Sequence, residues 1–526
     1  MAVRQESGLP VSGFGTSAHY GPLFWELSFW GSLLFATIET ALCTERINHG
    51  GRILGPLPVV TNAVLFNTPE ADAIVSALQI FPRDNPWNEE VTRRPRLANS
   101  DAMIAQITSE LLSTRRTLRA FYEMNFVVVP DNQPLMLIDF FNWPEESDPS
   151  PYPIPPNMPV ETWPRETGGL TLAQWQEDIN DEGGDRHSII VQPGTGGIWE
   201  TWLTKRVGSD WEASNGAKFD LNSNATRPAG WTAGDAAGLS MFAGLVRYDE
   251  CERGMVEHAI RIIVKHTRRA YIYPATHHAS VPSTTDPNVP AMGQRLRLKQ
   301  NFVVPDHWTK HEKAVLKALK KYGAIVADNG NFFSISVAPD QRFPEDAFSN
   351  LSSVAISNFE VIQTTGPSEG PRSPGAPIVN AGPDQMVHIS QVAVLSGAAT
   401  FTQPAQIQWK LYSGPGTVAF ADASRTNTTA TFSTRGTYRL MLSADDGVHA
   451  IAHDAMTVTV GATIRTTLAH VGTNVVLRWT GGEAPYELQR TTDLTPPGWQ
   501  TVLTTTASAA AIPNSGETAF FRIKGR

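Results

Sequence analysis

The spacing of apolar and polar residues changes period several times along the chain. A 3.6-residue period covers Ser100–Leu118, with Met103, Ile104, Ile107, Leu111 and Leu118 on or near one face and Ser100 or Asp101 available as N-cap. The same period returns at His307–Tyr322, where Val315, Leu316 and Leu319 form a buried stripe and Gly323 supplies the stop. Elsewhere period two dominates, and it predicts strands at Phe126–Val129, Leu135–Phe140, Ser188–Gln192, Ile198–Leu203, Leu245–Glu250, Val256–Val264 and Gln294–Lys299. Around Asp328-Asn329-Gly330 the runs AIVA and FFSISV predict a hairpin.

Alternation sorts side chains onto two faces. Arg247 and Asp249 then share a face opposite Val246, Tyr248 and Glu250. His258 lies with Val256, Ile260, Ile262 and Val264, opposite Glu257 and Arg261; Arg295, Arg297 and Lys299 oppose Leu296 and Leu298. The expectation is an antiparallel arrangement with one wet face and one buried face.

A chain of 526 residues exceeds one ordinary core. Its 41 glycines and 38 prolines favour many short strands joined by turns. The fold class expected is mainly β: a large β-rich, sandwich or jelly-roll-like domain with a few helices at residues 61–363, then two small Ig-like or fibronectin-like β-sandwich modules. Residues 1–60 read as a leader or export segment, because Leu27–Ile38 is apolar but too short to span a bilayer. The proline-dense segment 144–164 is expected to run extended and to be pinned to the domain by Tyr152 and Trp163. Residues 364–376, rich in Gly, Pro and Ser, read as a linker.

Beyond the linker, NAGPDQMVHIS, IQWKLYSGPGTVAFADAS, TATFSTRGTYRLMLSADDG and AMTVTV resemble a PKD-type Ig-like module over 377–461. That resemblance implies Trp409 as core tryptophan, with Tyr438 on a strand pairing across it. Residues 462–526, with VVLRWTGG, YELQRTTDL and AFFRI, resemble a fibronectin-type module.

Charge and sulfur narrow the chemistry. A net charge of -9 without a basic run argues against a nucleic-acid partner. Two cysteines, Cys43 and Cys251, permit one bridge at most and no Cys-ligated zinc. No metal site and no cofactor are expected: His277 and His278 are adjacent, and His307 and His311 lack an HExxH context. A GxxxxGK motif is absent from the sequence, and the GxSxG string Gly366-Pro367-Ser368-Glu369-Gly370 falls in a Gly-, Pro- and Ser-rich segment without the strand-to-helix turn of a nucleophile elbow.

What remains is concentrated between Ala229 and Lys299. Glycan hydrolysis needs two carboxyls flanking the scissile bond, and Glu200, Asp235, Asp249 and Glu250 are the candidates, with His277 as a further catalytic group. Asp235 lies in a Gly-Ala loop whose small residues would permit close approach of a substrate. His187, Trp231, Arg247, Arg261 and Arg295 are the expected substrate-binding residues. Trp199, Trp202 and Trp211 offer further faces for stacking, with a core position as the alternative for each. A lyase would instead use Tyr248 or His277 with Arg261 and Arg295.

The phrases RHSIIV, IWE, FDLNSNATRPAGWTAGDAAGLSMFAGLVRYDE, HAIR, YIYPATHHAS, MGQRLRLK and ALKKYGAIVADNG resemble a family of secreted bacterial proteins over residues 66–362. The chain departs from its pattern at Gly196-Gly197, where Asn-Cys is expected before the IWE strand. The resemblance implies export and a β-rich domain, and supplies no reaction. The expectation is therefore a secreted or cell-surface, monomeric protein without a stable transmembrane span. It acts on a polysaccharide or cell-surface glycan as a hydrolase with paired carboxylates; the alternatives are a lyase or a non-catalytic carbohydrate-binding, adhesion or structural protein.

Overall fold

The computed structural model describes residues 45–525 apart from 182, 280–283, 463, 496, 515 and 517. The leader expected at 1–60 lies outside the described residues as far as position 44, and so does Cys43. From Glu45 onward the chain is already part of the body: Ile47 and Leu54 are buried, and Arg52 pairs with Glu257 at 2.8 Å.

The large module opens with β1 (Val64–Leu65), α1 (Pro69–Ser76), α2 (Ser100–Glu110), β2 (Leu118–Tyr122), β3 (Val127–Val128) and β4 (Ile138–Phe140). It continues through α3 (Leu172–Glu177), β5 (Ser188–Gln192), β6 (Gly197–Trp202), β7 (Lys205–Val207), β8 (Asp210–Ala213) and β9 (Asn215–Asp220). After α4 (Met241–Gly244) and α5 (Tyr248–Arg253) come β10 (Ile260–Val264), β11 (Arg295–Leu298), α6 (Lys310–Lys321), β12 (Ala324–Asn329), β13 (Phe333–Val337) and β14 (Phe359–Val361). Strands dominate, as the turn-rich composition implies.

These strands build three sheets, in the orders β1-β3-β5-β6-β9, β14-β11-β12-β10-β13-β2 and β4-β8-β7. The six-stranded sheet is mixed. β10 runs parallel to β12 and antiparallel to β13, and β13 runs parallel to β2. Helix α4 packs on β10, α6 on β11 and α2 on β14, so the sheet is covered rather than wet. The expected polar face of Arg295 and Arg297 is accordingly interior, with both arginines buried. Arg295 donates to the carbonyls of Pro86, Glu89 and Tyr322, and burial pushes its pKa down to about 10. The strands stand where alternation placed them, and what alternation missed is that other segments cover the face it read as wet.

Three other expectations change. Leu245–Glu250 is not a strand, because α5 begins at Tyr248 with Asp249 and Glu250 in its first turn, Arg253 in its last, and Gly254 (φ 80°) closing it. That charge order suits the helix dipole. β12 and β13 do not form a hairpin, since β10 inserts between them and pairs with both. Helix α2 stops at Glu110, and Leu118 starts β2.

The proline-dense segment is pinned to the domain. Met136 and Tyr152 exchange backbone hydrogen bonds, and Tyr152, Ile154, Met158 and Val160 are buried. Residues 364–376 are also fixed, because buried Arg372 binds Glu89 at 3.1 Å and the carbonyl of Asp84 at 2.8 Å.

Residues 378–461 form a sheet ordered Gln385–His388, Ala452–Gly461, Gly436–Asp445, Gln406–Ser413, a second ordered Ala393–Ser396, Asn427–Phe432, Val418–Phe420, and a pair of short strands, Ile378–Asn380 with Ala398–Thr400. Trp409 and Tyr438 are both in its core. The Tyr438 hydroxyl donates to Thr434 O at 2.7 Å, a tyrosine corner. The last module holds two three-stranded sheets around Leu477, Trp479 and Leu488. Among the described residues, no helix is long and apolar enough to cross a membrane.

Candidate functional site

Arg261, buried on β10, organises a polar cluster inside the large module. Its Nε donates to Asp235 Oδ2 at 2.7 Å, Nη1 to Ser336 Oγ at 2.8 Å and Nη2 to Asp328 Oδ2 at 3.0 Å. Glu123 Oε1 lies 3.7 Å from Nη1 and accepts from Ser336 Oγ at 2.5 Å. A bulge brings Asp328 there. Between Ile262 and Ile263 the register with β12 slips, so Asp328 rather than Ala327 lies opposite Ile263, on the Arg261 face.

Three carboxyls thus surround one guanidinium. Asp235 is fully enclosed, whereas the side chains of Glu123 and Asp328 remain 19% and 24% exposed. Burial disfavours their ionisation more than Arg261 restores it, and both are pushed up to about 7. Asp235 is raised for the same reason.

His187 sits beside this cluster. Its Nδ1 is 2.9 Å from Glu161 Oε2 and its Nε2 is 2.8 Å from Gly234 O. Each neighbour accepts, so both ring nitrogens donate. Burial alone would lower the imidazole, but the Glu161 carboxylate outweighs it and pushes His187 up to about 9. Burial likewise opposes ionisation of Glu161, but the charge of His187 prevails and lowers it.

The other nominated residues lie elsewhere. Glu200 is fully buried and accepts from Ser240 Oγ (2.8 Å), Met241 N (2.9 Å) and Phe242 N (3.0 Å), so it caps α4. Burial raises its pKa despite these donors. Asp249 and Glu250 belong to a separate ionic network, with Arg253–Asp249 at 2.6 Å, Arg247–Glu250 at 2.8 Å and His258–Glu250 at 3.1 Å. Although burial opposes it, Arg247 and His258 hold the Glu250 carboxyl well below the usual range. Arg247 and Asp249 do approach, at 3.7 Å, but at the start of a helix and not across a sheet.

His277 reaches the Asp235 loop, where its Nδ1 lies 2.7 Å from Ala236 O. Tyr248 opens α5 directly after Arg247, and the guanidinium over its ring, at 4.2 Å, is that of Arg342 rather than Arg261 or Arg295. Trp199 and Trp211 are core residues, while Trp231 is half-buried with Arg227 at 5.5 Å from its ring. His311 is buried on α6 against Glu252 at 2.9 Å, whereas His307 is exposed before the helix starts. Among the described residues, no group of three His, Cys, Asp or Glu is placed to hold a metal ion.

The small residues around Asp235 serve internal packing. A Cβ on Gly238 (φ 71°) would meet Thr276 Oγ1 at 2.1 Å and Trp231 O at 2.6 Å, and one on Gly234 would meet Met241 at 2.5 Å. The space expected for a substrate is filled by the protein. Glu123, Ser336 and Glu161 were not singled out from sequence, and Asp328 was read only as a turn residue. The alternation of Ser334 and Ser336 with Phe333, Ile335 and Val337 was the one available signal for Ser336.

A different surface is open. On and beside β4, Leu135, Leu137, Phe141 and Trp143 are 60%, 71%, 54% and 46% exposed. Ile138, between them in sequence, points inward and is buried, whereas Asp139 and Glu145 are exposed beside them.

A profile of the K319L-like PKD domain family matches residues 381–460, which form a PKD-type, Ig-like module. The chain is similar to the PKD domain of the KIAA 1837 protein, with 24% identity over 19% of this chain and 91% of that one and a TM-score of 0.15. It is similar to a PKD domain from human KIAA0319, with 16% identity over 21% of this chain and 100% of that one and a TM-score of 0.16. A nucleoside hydrolase-related hypothetical protein from Saccharophagus degradans, associated with carbohydrate metabolism, shares 13% identity over 28% of this chain and 36% of that one, with a TM-score of 0.16. No curated protein matches the chain.

Proposed function

We propose that this chain is a non-catalytic glycan-binding protein of the cell surface, with the large module as binding head and the two sandwich modules as spacer. One contrast carries this reading. Glu200, Asp235, Asp249 and Glu250, the carboxyls nominated for hydrolysis, are at most 6% exposed and engaged inside the protein, whereas four large apolar side chains stand open around β4. Aromatic rings with a polar rim suit the apolar faces and hydroxyl edges of sugars, and an exposed patch of this kind marks an interaction site more often than a lone exposed leucine does. Asp139 and Glu145 supply acceptors at its margin. The likeness of residues 66–362 to exported bacterial proteins supports a location outside the cell, and the PKD-type module is a fold suited to spacing.

The test is affinity electrophoresis of the full chain through a panel of neutral and acidic polysaccharides, with reducing ends assayed in parallel. Retention without new reducing ends is expected, and the double substitution Phe141→Ala, Trp143→Ala should weaken retention by about tenfold, the effect of roughly 1.4 kcal/mol. Release of reducing ends would overturn the non-catalytic reading.

A second reading, hydrolysis by Glu123 and Asp328, is favoured by their partial exposure and by pKa values near 7, which suit proton donation at neutral pH. It requires that Glu123→Gln and Asp328→Asn each abolish reducing-end release.

A further inference from the structure

The large module and the PKD-type module meet along a polar seam. Arg93 pairs with Asp445 at 2.8 Å, Arg439 with Glu45 at 3.2 Å, and Ile53 N donates to Tyr412 Oη at 3.1 Å. The seam does not close completely. It leaves a cleft of about 290 Å³, large enough for a small organic anion, whose walls include Arg83, Lys321 and His49 from one side and Lys410 and His453 from the other.

The charges in this cleft do not balance. Its carboxylates are already committed: Glu89 to Arg94 at 2.6 Å, Asp445 to Arg93, and Glu90 to Lys321 at 3.7 Å. Among the described residues Arg83 and Lys410 form no ion pair; Arg83 donates to the carbonyl of Ile47 at 2.7 Å and feels the charge of Asp454. A surplus of positive charge lines a cleft in a chain whose net charge is -9.

The histidines register the same imbalance. His49 Nε2 and His453 Nδ1 are buried atoms without a hydrogen-bond partner among the described residues. Burial pulls His453 down to about 4, helped by the charges of Lys410, Arg83 and Lys321. His49 is pulled down to about 3, chiefly by burial and then by Lys321, against an opposing hydrogen bond involving Glu257 and another from Gln79. Tyr322 stands edge-on to His49, and the backbone of Gly51 lies against the His453 ring. The unpartnered Nδ1 of His453 beside Lys410 and Arg83 is what an anion would complete, since it would accept from that nitrogen once the ring is protonated.

We propose that this cleft binds an oxyanion, a phosphate or carboxylate group, between Arg83, Lys410 and His453, so that the ligand ties the PKD-type module to the large module. The site is independent of the open face around β4.

The full chain is titrated calorimetrically at pH 5 with inorganic phosphate and, separately, with glucuronate, in two buffers of different ionisation enthalpy. Binding is expected with net proton uptake, because a bound anion raises the pKa of His453. Lys410→Glu, an exposed strand position, should weaken binding by at least about tenfold and abolish the uptake while the circular dichroism spectrum is unchanged. Lys410→Gln should fall between the two. Binding of phosphate alone assigns a phosphate ligand, and binding of glucuronate alone an acidic sugar; binding of both supports a general oxyanion site. No binding of either, binding without proton uptake, or equal affinity in Lys410→Glu overturns the proposal.

Discussion

Asp235, Asp328 and Glu123 compete for the single charge of Arg261, and the competition fixes how the large module responds to pH. Glu123 and Asp328 rise to about 7 from 4.5 and 3.8, so the folded state holds their protons more tightly than the unfolded chain does. Their contribution to stability is complete below about pH 4 and is lost as pH rises through 7. Glu123→Gln and Asp328→Asn should therefore flatten the fall in urea midpoint between pH 4.5 and 7. An unchanged slope in both variants would show that the pair ionises freely. His49 and His453 act in the opposite sense. Held neutral at about 3 and 4, they stabilise the fold above 6.5 and cease to do so as pH falls through those values. Asp235, Arg261 and His187 were legible in the sequence as residue types. Glu123 and Asp328 were not, because only the six-stranded sheet brings positions 123, 261 and 328 together.

At the level of the element, the strongest local signals held. Helix α6 has its apolar stripe where the 3.6-residue period placed it, and Gly323 (φ 71°) follows its end. Its N-terminus is a capping box: Thr309 Oγ1 accepts from Glu312 N at 3.1 Å, and Glu312 Oε2 accepts from Thr309 N at 3.0 Å. The Thr309 hydroxyl also donates to Ala347 O at 2.7 Å, and Glu312 accepts from Asn350 N at 2.6 Å, so the cap fastens the helix to the loop after β13. Thr309→Ala should cost about 1 kcal/mol or somewhat more in equilibrium urea unfolding. A loss within error of zero would mean that the cap is replaced by water. Where local pattern failed, as in the hairpin predicted around Asp328, the cause was a third strand arriving from 60 residues earlier in the chain.

Across the whole molecule, the joint between modules is more rigid than its composition suggests. Segment 364–376 has the Gly, Pro and Ser content of a flexible tether, yet Arg372 anchors it through Glu89 and Asp84 O, and Ser373 Oγ lies 3.1 Å from His449 Nε2. Arg372→Ala should free it. Proteinase K should then cut within 364–376 faster by about tenfold or more, since cleavage of a native segment follows the population of its open form. Equal rates for the variant and the parent chain would show that other contacts hold the joint.

A resemblance to PKD-type modules placed Trp409 and Tyr438 in one core; the sequence by itself determined the β-rich class, the α6 helix and the pinning of the proline-dense segment. Each of these depends on residues close in the chain or on a repeating local period. Only the tertiary structure decided which polar side chains are buried and with whom. Whether Arg295 faces water, whether Asp235 faces a substrate or Arg261, and whether Asp328 turns a hairpin or enters a sheet all depend on what packs against them. Burial and charge pairing arise between distant segments, and a period along one strand carries no record of the segment that will cover it.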